Sequence, residues 1–318
     1  MGMTPEQVKG RIRNIAKREN ADPRTLVRIY MMERFLDRIA ASNYRDNFIL
    51  KGGVLVTAMV GVALRSTMDI DTTIKNRNIS EESAQDMILE ICGINLNDNV
   101  TFEITNITRI MDEMEYPGIR FNMNAYMGKM ITPMKIDIST GDVITPHAIE
   151  YKYNLLLENR FIELWAYNLE TILAEKLQTI LSRGVLNTRM RDFYDIHILL
   201  SIYGNEMDQE NLRKAFVATC RKRGTENLKG DRYVIFGKIC EDANLSSRWN
   251  AYRKKYPYAA SIPYENILYS IEILMAKIYP KVPNTDTLRA LEESDISSHG
   301  SIAKGYSNIN EMMDDLRK

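Results

Sequence analysis

The stretch KGGVLVTAMVGVALRSTMDIDTTI, from Lys51 to Ile74, constrains the fold more than any other part of the sequence. Its glycine pair suits a tight turn, and the small apolar residues from Gly53 to Val60 predict a short buried helix directly after it. Asp69 and Asp71 are two residues apart, so on a β-strand both side chains would point to one face. The stretch therefore predicts a turn, a buried helix and a strand with two neighbouring carboxylates.

The two aspartates predict a metal site. Two carboxylates on one strand face repel each other, and without a cation one of them would be driven towards its protonated form. Mg²⁺, or Mn²⁺ in its place, is bound by one or two carboxylates together with phosphate oxygens of a substrate. Thr67 would share the strand face with Asp69 and Asp71. Asp137, on the polar face of a second predicted strand, would complete the metal site if the two strands are neighbours.

The glycines have a physical role in such a site. Without side chains, Gly52 and Gly53 would let backbone N–H groups approach a triphosphate, and the helix that follows would add the positive end of its dipole. The polar residues at both ends of the apolar segment complete the predicted nucleotide-binding set: Lys51, Arg65, Ser66 and Thr67. The alternative is a surface turn with a solvated aspartate pair, since Gly-Gly and Asp-x-Asp occur often by chance.

The composition restricts the chemistry of the chain. Its 318 residues contain 42 Lys plus Arg and 42 Asp plus Glu, so any polyanion would have to be held by a local basic patch. The three cysteines are far apart, which argues against a disulfide framework or a zinc site. With only three histidines, carboxylates and lysine would have to supply the chemistry. No signal peptide or long apolar run is visible, which predicts a cytoplasmic protein without membrane contact.

Strand-like and helix-like patterns follow one another along the chain. Thr4-Pro5 and Asp22-Pro23 each predict the start of a helix, and the segments VTFEI, GIRFNMNAY and PMKIDIST predict strands. After about Tyr153 the pattern becomes helical, and from Pro283 onward apolar residues become rare. The sequence therefore predicts an α+β protein with a mixed sheet in a domain of residues 1–155, followed by a mainly helical lobe with a polar tail, residues 156–318.

The helical part contains two segments with charged residues among apolar ones. In LETILAEKLQTILSRG, Lys176 lies within an apolar helix and either reaches out to water or binds phosphate. In RMRDFYDIHILL, Asp192 and Asp195 share one helix face. They are either partners of the helix dipole or part of a site.

Taken together, these segments resemble the AbiEii and AbiGii nucleotidyltransferase toxins of type IV toxin–antitoxin systems, which are similar to the MenT toxins. The resemblance runs from about Arg28 to Leu200 and depends on the order of four stretches: IYMMERFLDRIAASNYRDNFILKGG, RSTMDID, KIDISTGD and NLETILAEKLQTILSRGVLNTRMRDFYDI. It implies a nucleotidyltransferase fold of the polymerase-beta type, NTP as substrate, a divalent metal, a cognate antitoxin and a role in phage defence.

The resemblance also implies residue roles. Thr67 and Asp69 correspond to the Ser/Thr-x-Asp pair of the family, Asp71 completes Asp-x-Asp, and Lys176 matches the family lysine. The later family aspartate is either Asp192 or Asp195. Here Gly-Gly stands where related nucleotidyltransferases often have Gly-Ser, so backbone contacts to phosphate would have to suffice.

Some members of the family are similar to enzymes that add nucleotides to the acceptor end of tRNA and so block translation. RNA, and tRNA in particular, is therefore the expected acceptor. Two basic segments provide candidate RNA contacts: Arg221, Lys222, Arg223, Lys254 and Lys255. Three functions remain open at this point: transfer to RNA, transfer to a protein or small molecule, and nucleotide binding without turnover.

Overall fold

A seven-stranded mixed sheet forms the centre of the fold in the computed structural model, which describes residues 2–75, 80–110 and 118–279. Its strands are β1 (Phe48–Lys51), β2 (Asp69–Ile74), β3 (Thr101–Ile110), β4 (Gly118–Met127), β5 (Met130–Thr140), β6 (Ile149–Asn154) and β7 (Phe161–Ala166). They lie in the order β3-β4-β5-β2-β1-β7-β6. β2 pairs parallel with β5 and β1 parallel with β7, whereas the other neighbours are antiparallel.

Helices precede, interrupt and follow the strands. They are α1 (Pro5–Glu19), α2 (Pro23–Ala41), α3 (Gly52–Val60), α4 (Glu81–Gly93), α5 (Leu169–Arg183), α6 (Met190–Tyr203), α7 (Gln209–Lys222), α8 (Leu228–Glu241), α9 (Ala243–Lys255) and α10 (Tyr264–Ile278). α2 contacts β5 and β7, and α3 contacts β1, β2 and α6. The predicted α+β class, with a mixed sheet followed by a helical part, is confirmed.

The first two helices begin where the sequence predicts. The Thr4 side chain accepts the Gln7 backbone N–H at 3.3 Å, and Gln7 accepts the Thr4 N–H at 2.8 Å, which together form a capping box. Asp22 accepts the Thr25 N–H at 2.9 Å. Both caps are followed by proline at the first helical position, where its missing N–H costs no hydrogen bond.

The prediction that no strand follows Tyr153 is wrong, because β7 occupies Phe161–Ala166. Buried Ile162, Leu164 and Ala166 alternate in β7 with residues that are more exposed. β6 is an edge strand that is mostly exposed, so its sequence shows little apolar alternation. β7 is stabilised by the position between β1 and β6, and only the assembled sheet provides that position.

The described residues up to Ile278 belong to one compact unit. The domain boundary near residue 155 stays a prediction, and the polar tail predicted from Pro283 lies outside the described residues. Within the described ranges, no helix is both long and apolar enough to span a lipid bilayer.

A buried ion pair connects α2 to the segment before β3. Arg38, which is 2% exposed, donates through Nη1 and Nη2 to Asp98 at 2.8 and 2.9 Å, and Nη2 also donates to the Val100 carbonyl at 2.7 Å. Burial would raise the pKa of Asp98, but the hydrogen bonds and charge of Arg38 outweigh it and hold that pKa below its ordinary value. Asp98 therefore remains ionised at neutral pH.

We expect Asp98→Ala to lower the free energy of unfolding by about 3–5 kcal/mol, because it leaves the Arg38 charge buried without a partner. The control is Glu19→Ala, which removes the partner of the exposed Arg18 and should change stability by less than about 0.5 kcal/mol. Urea denaturation at pH 7 measures both. Equal effects of the two substitutions would contradict the prediction.

Candidate active site

A row of four charged side chains crosses four neighbouring strands. Strand register pairs Lys51 of β1 with Asp71 of β2, Asp71 with Asp137 of β5, and Asp137 with Arg120 of β4. Residues directly opposite each other on paired strands point to the same face of the sheet. One face therefore carries, in order, a cation, two carboxylates and a cation, which we call the charged row.

Asp69 joins the charged row because it lies two residues before Asp71 on the same strand face. The three predicted metal ligands, Asp69, Asp71 and Asp137, are thus brought together on the sheet. Burial, followed by the charges of Asp137 and Asp69, raises the pKa of Asp71, although Lys51 and a backbone hydrogen bond from Gly53 oppose the rise. The expected repulsion between neighbouring carboxylates is therefore present at Asp71.

Thr67 does not share the strand face with the aspartates, in contrast to the prediction. β1 ends at Lys51, opposite Asp71, and the pairing with β5 begins at Asp69, so the strand starts two residues after Thr67. The Thr67 side chain is buried in the preceding loop, where its hydroxyl donates to the Asp69 carbonyl at 3.2 Å. It is close to the aspartates without lying on their strand.

The glycine pair, Gly52 and Gly53, forms a turn that packs directly against the Asp71 side chain. Gly52 has a φ of +64°, and a Cβ on it would lie 2.1 Å from Asp71 Oδ2. The Gly53 N–H, at the start of α3, donates to the same oxygen at 3.2 Å. A Cβ on Gly53 would lie 2.9 Å from Thr67 Oγ1. In this structure the positive end of α3 therefore faces a carboxylate of the protein itself.

Lys51 is held by a hydrogen-bond network at the end of β1. Its Nζ donates to Ser139 Oγ at 2.7 Å and to the Asp142 carboxylate, which also accepts the Tyr167 hydroxyl at 2.9 Å. Burial would lower the pKa of Lys51, but the charges of Asp142 and Glu175 outweigh it and raise that pKa. The ammonium group is therefore charged at neutral pH beside Asp71.

A second, buried cluster lies between the sheet and the helical part. Lys176 Nζ of α5 donates to Asp192 at 3.0 Å and to Asp195 at 2.6 Å, both on α6. Asp195 is 0% exposed and also accepts from Arg65 Nε at 2.6 Å. Lys176 thus neither reaches out to water nor stands free for phosphate, since both aspartates occupy its ammonium group.

The buried cluster adjoins the glycine turn. Arg65 Nη2 lies 3.3 Å from the position that a Cβ on Gly53 would take. Arg65 also donates to the carbonyl oxygen of Ser66. The candidate nucleotide-binding residues before β2 are therefore held by α6 on one side and by the start of α3 on the other.

Sequence reasoning missed three charged or polar partners of the predicted residues. Arg120 lies on the polar face of the alternating segment GIRFNMNAY, so its orientation was readable although its partner was not. Ser139 follows Asp137 by two residues and shares its strand face for the same reason. Asp142 lies in a loop after β5, where no periodic signal indicates which way a side chain points.

The candidate RNA-binding residues do not form one uniform surface. Arg223 donates to Gln178 at 2.6 Å and to Thr179 at 3.1 Å, which packs it against α5, whereas Arg221 is exposed and Lys222 is half-buried. Two further candidates are exposed in the last turn of α9: Lys254 and Lys255.

The carboxylates fit a divalent ion only in part. Among residues 2–75, 80–110 and 118–279, no group of three or more His, Cys, Asp or Glu side chains is arranged to hold a metal. Asp137 is bound by Arg120 through both of its oxygens, at 2.7 and 2.6 Å. Asp69 and Asp71 remain, and a pair of carboxylates is sufficient for Mg²⁺ that also binds substrate phosphate.

Comparison with known proteins matches one family and several distant solved structures. The family model described as "Nucleotidyl transferase AbiEii toxin, Type IV TA system" matches residues 34–270. The comparison with curated proteins gives no match. JHP933 from Helicobacter pylori is 14% identical with a TM-score of 0.45, covering 86% of this chain and 99% of that chain. An antigenic nucleotidyltransferase-like protein from Paracoccidioides brasiliensis is 14% identical with a TM-score of 0.36, covering 62% of this chain and 90% of that chain.

We expect Gly52→Ala to destabilise the protein by about 3 kcal/mol, because it combines a left-handed backbone strain with a collision against Asp71. Gly224→Ala is the matched control, since Gly224 has a φ of +60° but no atom within 4 Å of the added Cβ. That control should cost only about 1 kcal/mol. Urea denaturation compares the two, and equal losses would show that Gly52 does not have to accommodate Asp71.

We expect part of the stability to depend on pH through Asp195. Burial alone would raise its pKa, but Arg65 and Lys176 lower it from 3.8 to about 2. A lowered folded-state pKa stabilises the fold above the unfolded value, and this contribution is lost between about pH 4 and pH 2. The stability difference between the parent and Asp195→Asn should therefore narrow below pH 4 in urea denaturation. A constant difference would contradict the assignment.

Proposed function

Because the chain belongs to the AbiEii nucleotidyl transferase toxin family of type IV toxin–antitoxin systems, we propose that it transfers NMP from an NTP to RNA and releases pyrophosphate. The group that receives NMP is at the acceptor end of tRNA, and its modification blocks translation. A cognate antitoxin is the expected genetic partner. The observation that carries the proposal is the charged row, which gathers three carboxylates at the end of a glycine turn.

The charge of the row supports the binding of a divalent cation. Three carboxylates, Asp69, Asp71 and Asp137, face one guanidinium, because Lys51 is paired with Asp142. Two negative charges are thus left without a counterion. Mg²⁺ or Mn²⁺ held by Asp69 and Asp71 would neutralise the charge that develops on the transferred phosphorus group and on pyrophosphate.

Nucleotidyl transfer needs positioning more than covalent help, so the other residues act by holding the reactants. Without side chains, Gly52 and Gly53 would leave room for a triphosphate at the start of α3, where the Gly53 N–H donates to Asp71 in this structure. Lys176, whose ammonium group is occupied by Asp192 and Asp195, holds α5 and α6 beside the nucleotide site, and it would reach the triphosphate only by releasing these aspartates. Asp195 is fully buried and thus suited to positioning, whereas Asp137 is partly exposed and both of its oxygens are engaged by Arg120 in the ligand-free protein.

The helical part offers a surface for a single-stranded RNA end. The Tyr256 ring lies under Arg191 at 5.5 Å and Lys255 at 5.4 Å, and it stacks on Tyr258 with centroids 5.4 Å apart. Arg191 directly precedes Asp192, so this surface begins beside the buried cluster. Half-exposed aromatic rings flanked by cations are typical of sites that stack bases and hold phosphates. Lys254, in the last turn of α9 beside Lys255, adds a further cation to this surface. Arg221 and Lys222 lie on a different helix, α7, and are separate candidate contacts, while Arg223 mainly packs α7 on α5.

The test is to incubate the protein with labelled NTPs, Mg²⁺ or Mn²⁺, total RNA and total protein. We expect label in the RNA fraction, and we expect Asp69→Asn and Asp71→Asn each to reduce it by about a hundredfold or more, because they remove metal-binding charge. Asp86→Asn, an exposed acid on α4, is the control and should retain activity.

Each other outcome selects a different function. Label in protein would favour a protein acceptor, and nucleotide binding without any labelled product would favour a regulatory binding module. Near-parental transfer by Asp69→Asn would contradict the role of the aspartates. Circular dichroism of the variants checks that the fold is intact.

A further inference from the structure

Arg120 forms an ion pair with Asp137, which lies beside Asp71 in the sheet. Its Nε and Nη2 donate to the two oxygens of Asp137 at 2.7 and 2.6 Å, so both oxygens are engaged. The side chains of Arg120 and Asp137 are 36% and 18% exposed, and the pair is therefore accessible to solvent. A bidentate pair of this kind is strong and directional, yet its exposure leaves it free to exchange partners.

A divalent ion and Arg120 compete for the same group. If Asp137 adds to the two carboxylates of β2 in holding a divalent ion, one of its oxygens would have to be free of Arg120, and a cation placed next to the guanidinium would be repelled by it. Arg120 cannot lose its charge, since guanidinium does not deprotonate in proteins. The hydrogen bonds with Asp137 and the charges of Asp69 and Asp71 stabilise its charged form. In the ligand-free protein, Arg120 thus supplies the positive charge that the carboxylates require.

We propose that Arg120 leaves Asp137 when NTP and its divalent ion bind, and that it then donates to oxygens of the triphosphate. This inference rests on the proposed function. The guanidinium fork matches carboxylate and phosphate equally well, so the exchange replaces one bidentate contact by another. Asp137 becomes available to the metal at the same time. Arg120 is thereby a substrate-binding residue that couples metal binding to nucleotide binding.

The metal arm of the test measures Mn²⁺ affinity without nucleotide, by isothermal titration, in the parent, Arg120→Gln, Asp137→Asn and the double variant. Arg120→Gln should bind Mn²⁺ about tenfold more tightly than the parent, since no charged hydrogen bonds have to be broken. In the Asp137→Asn background the same substitution should have little effect. If Arg120→Gln raised Mn²⁺ affinity equally in the parent and in Asp137→Asn, the cause would be a general charge effect, and competition between Arg120 and the metal for Asp137 would be refuted. No gain in either background would overturn it as well.

The nucleotide arm measures binding of a non-hydrolysable NTP analogue at saturating Mg²⁺. Arg120→Gln should weaken it about tenfold or more, and Arg120→Lys should restore only part of the affinity because an ammonium group lacks the planar fork. Arg109→Gln is the matched control: Arg109 lies on neighbouring β3, pairs with exposed Glu81, and should leave both affinities unchanged. Parental nucleotide affinity in Arg120→Gln would overturn the proposal.

Both readouts are binding measurements and need no acceptor, so they separate this inference from the proposed function. If the Arg120 variants change Mn²⁺ and nucleotide affinity as expected but no RNA is labelled, Arg120 acts as proposed and the acceptor assignment fails. If RNA is labelled but the Arg120 variants leave Mn²⁺ and nucleotide affinity unchanged, the transferase assignment stands and the role of Arg120 is refuted.

Discussion

The pairing of β1, β2, β5 and β4 is the constraint on which the candidate site depends. It sets Lys51, Asp71, Asp137 and Arg120 side by side, so each carboxylate has a cation on its outer flank. A slip of one residue in any of these strands would turn a side chain of the row to the opposite face. The buried apolar residues of the strands prevent such a slip, because Ile70, Ile136 and Phe121 would then face solvent. The hydrophobic core thus fixes the electrostatics of the site.

The glycine turn and the buried cluster connect the strands of the site to α3, α5 and α6. Gly52 can approach Asp71 because it has no Cβ, and the start of α3 can then donate to the carboxylate. Arg65 joins the same region to Asp195 and, through it, to Lys176. Buried ion pairs of this type are weak sources of net stability, but they penalise any alternative arrangement that would leave one charge unpaired. The cluster therefore specifies how α5 and α6 meet the sheet.

The chain has no net charge, but its charged side chains are locally segregated. The sheet face collects carboxylates, whereas cationic and aromatic side chains meet around Tyr256. The proposed nucleotide, metal and RNA would each require a different local field, and opposite charges on separate surfaces would provide these fields without net attraction to other polyanions. If Arg120 exchanges Asp137 for the triphosphate, its charge would be paired both in the free protein and in the nucleotide complex.

The sequence by itself determined much of the local structure and indicated Asp69, Asp71 and Asp137 as candidate site residues, which the sheet brings together. The caps at Thr4 and Asp22, the apolar alternation of β4 and β5 and the spacing of Asp69 and Asp71 are local features, and local physical chemistry governs them. The sequence did not reveal β7, the true start of β2 after Thr67, the partner of Arg120 or the burial of Lys176. Each of these depends on which distant segments lie side by side. That neighbourhood is decided only when the whole sheet and its covering helices bury their apolar faces together, and for this reason the tertiary structure alone decided how the charges of the site are paired.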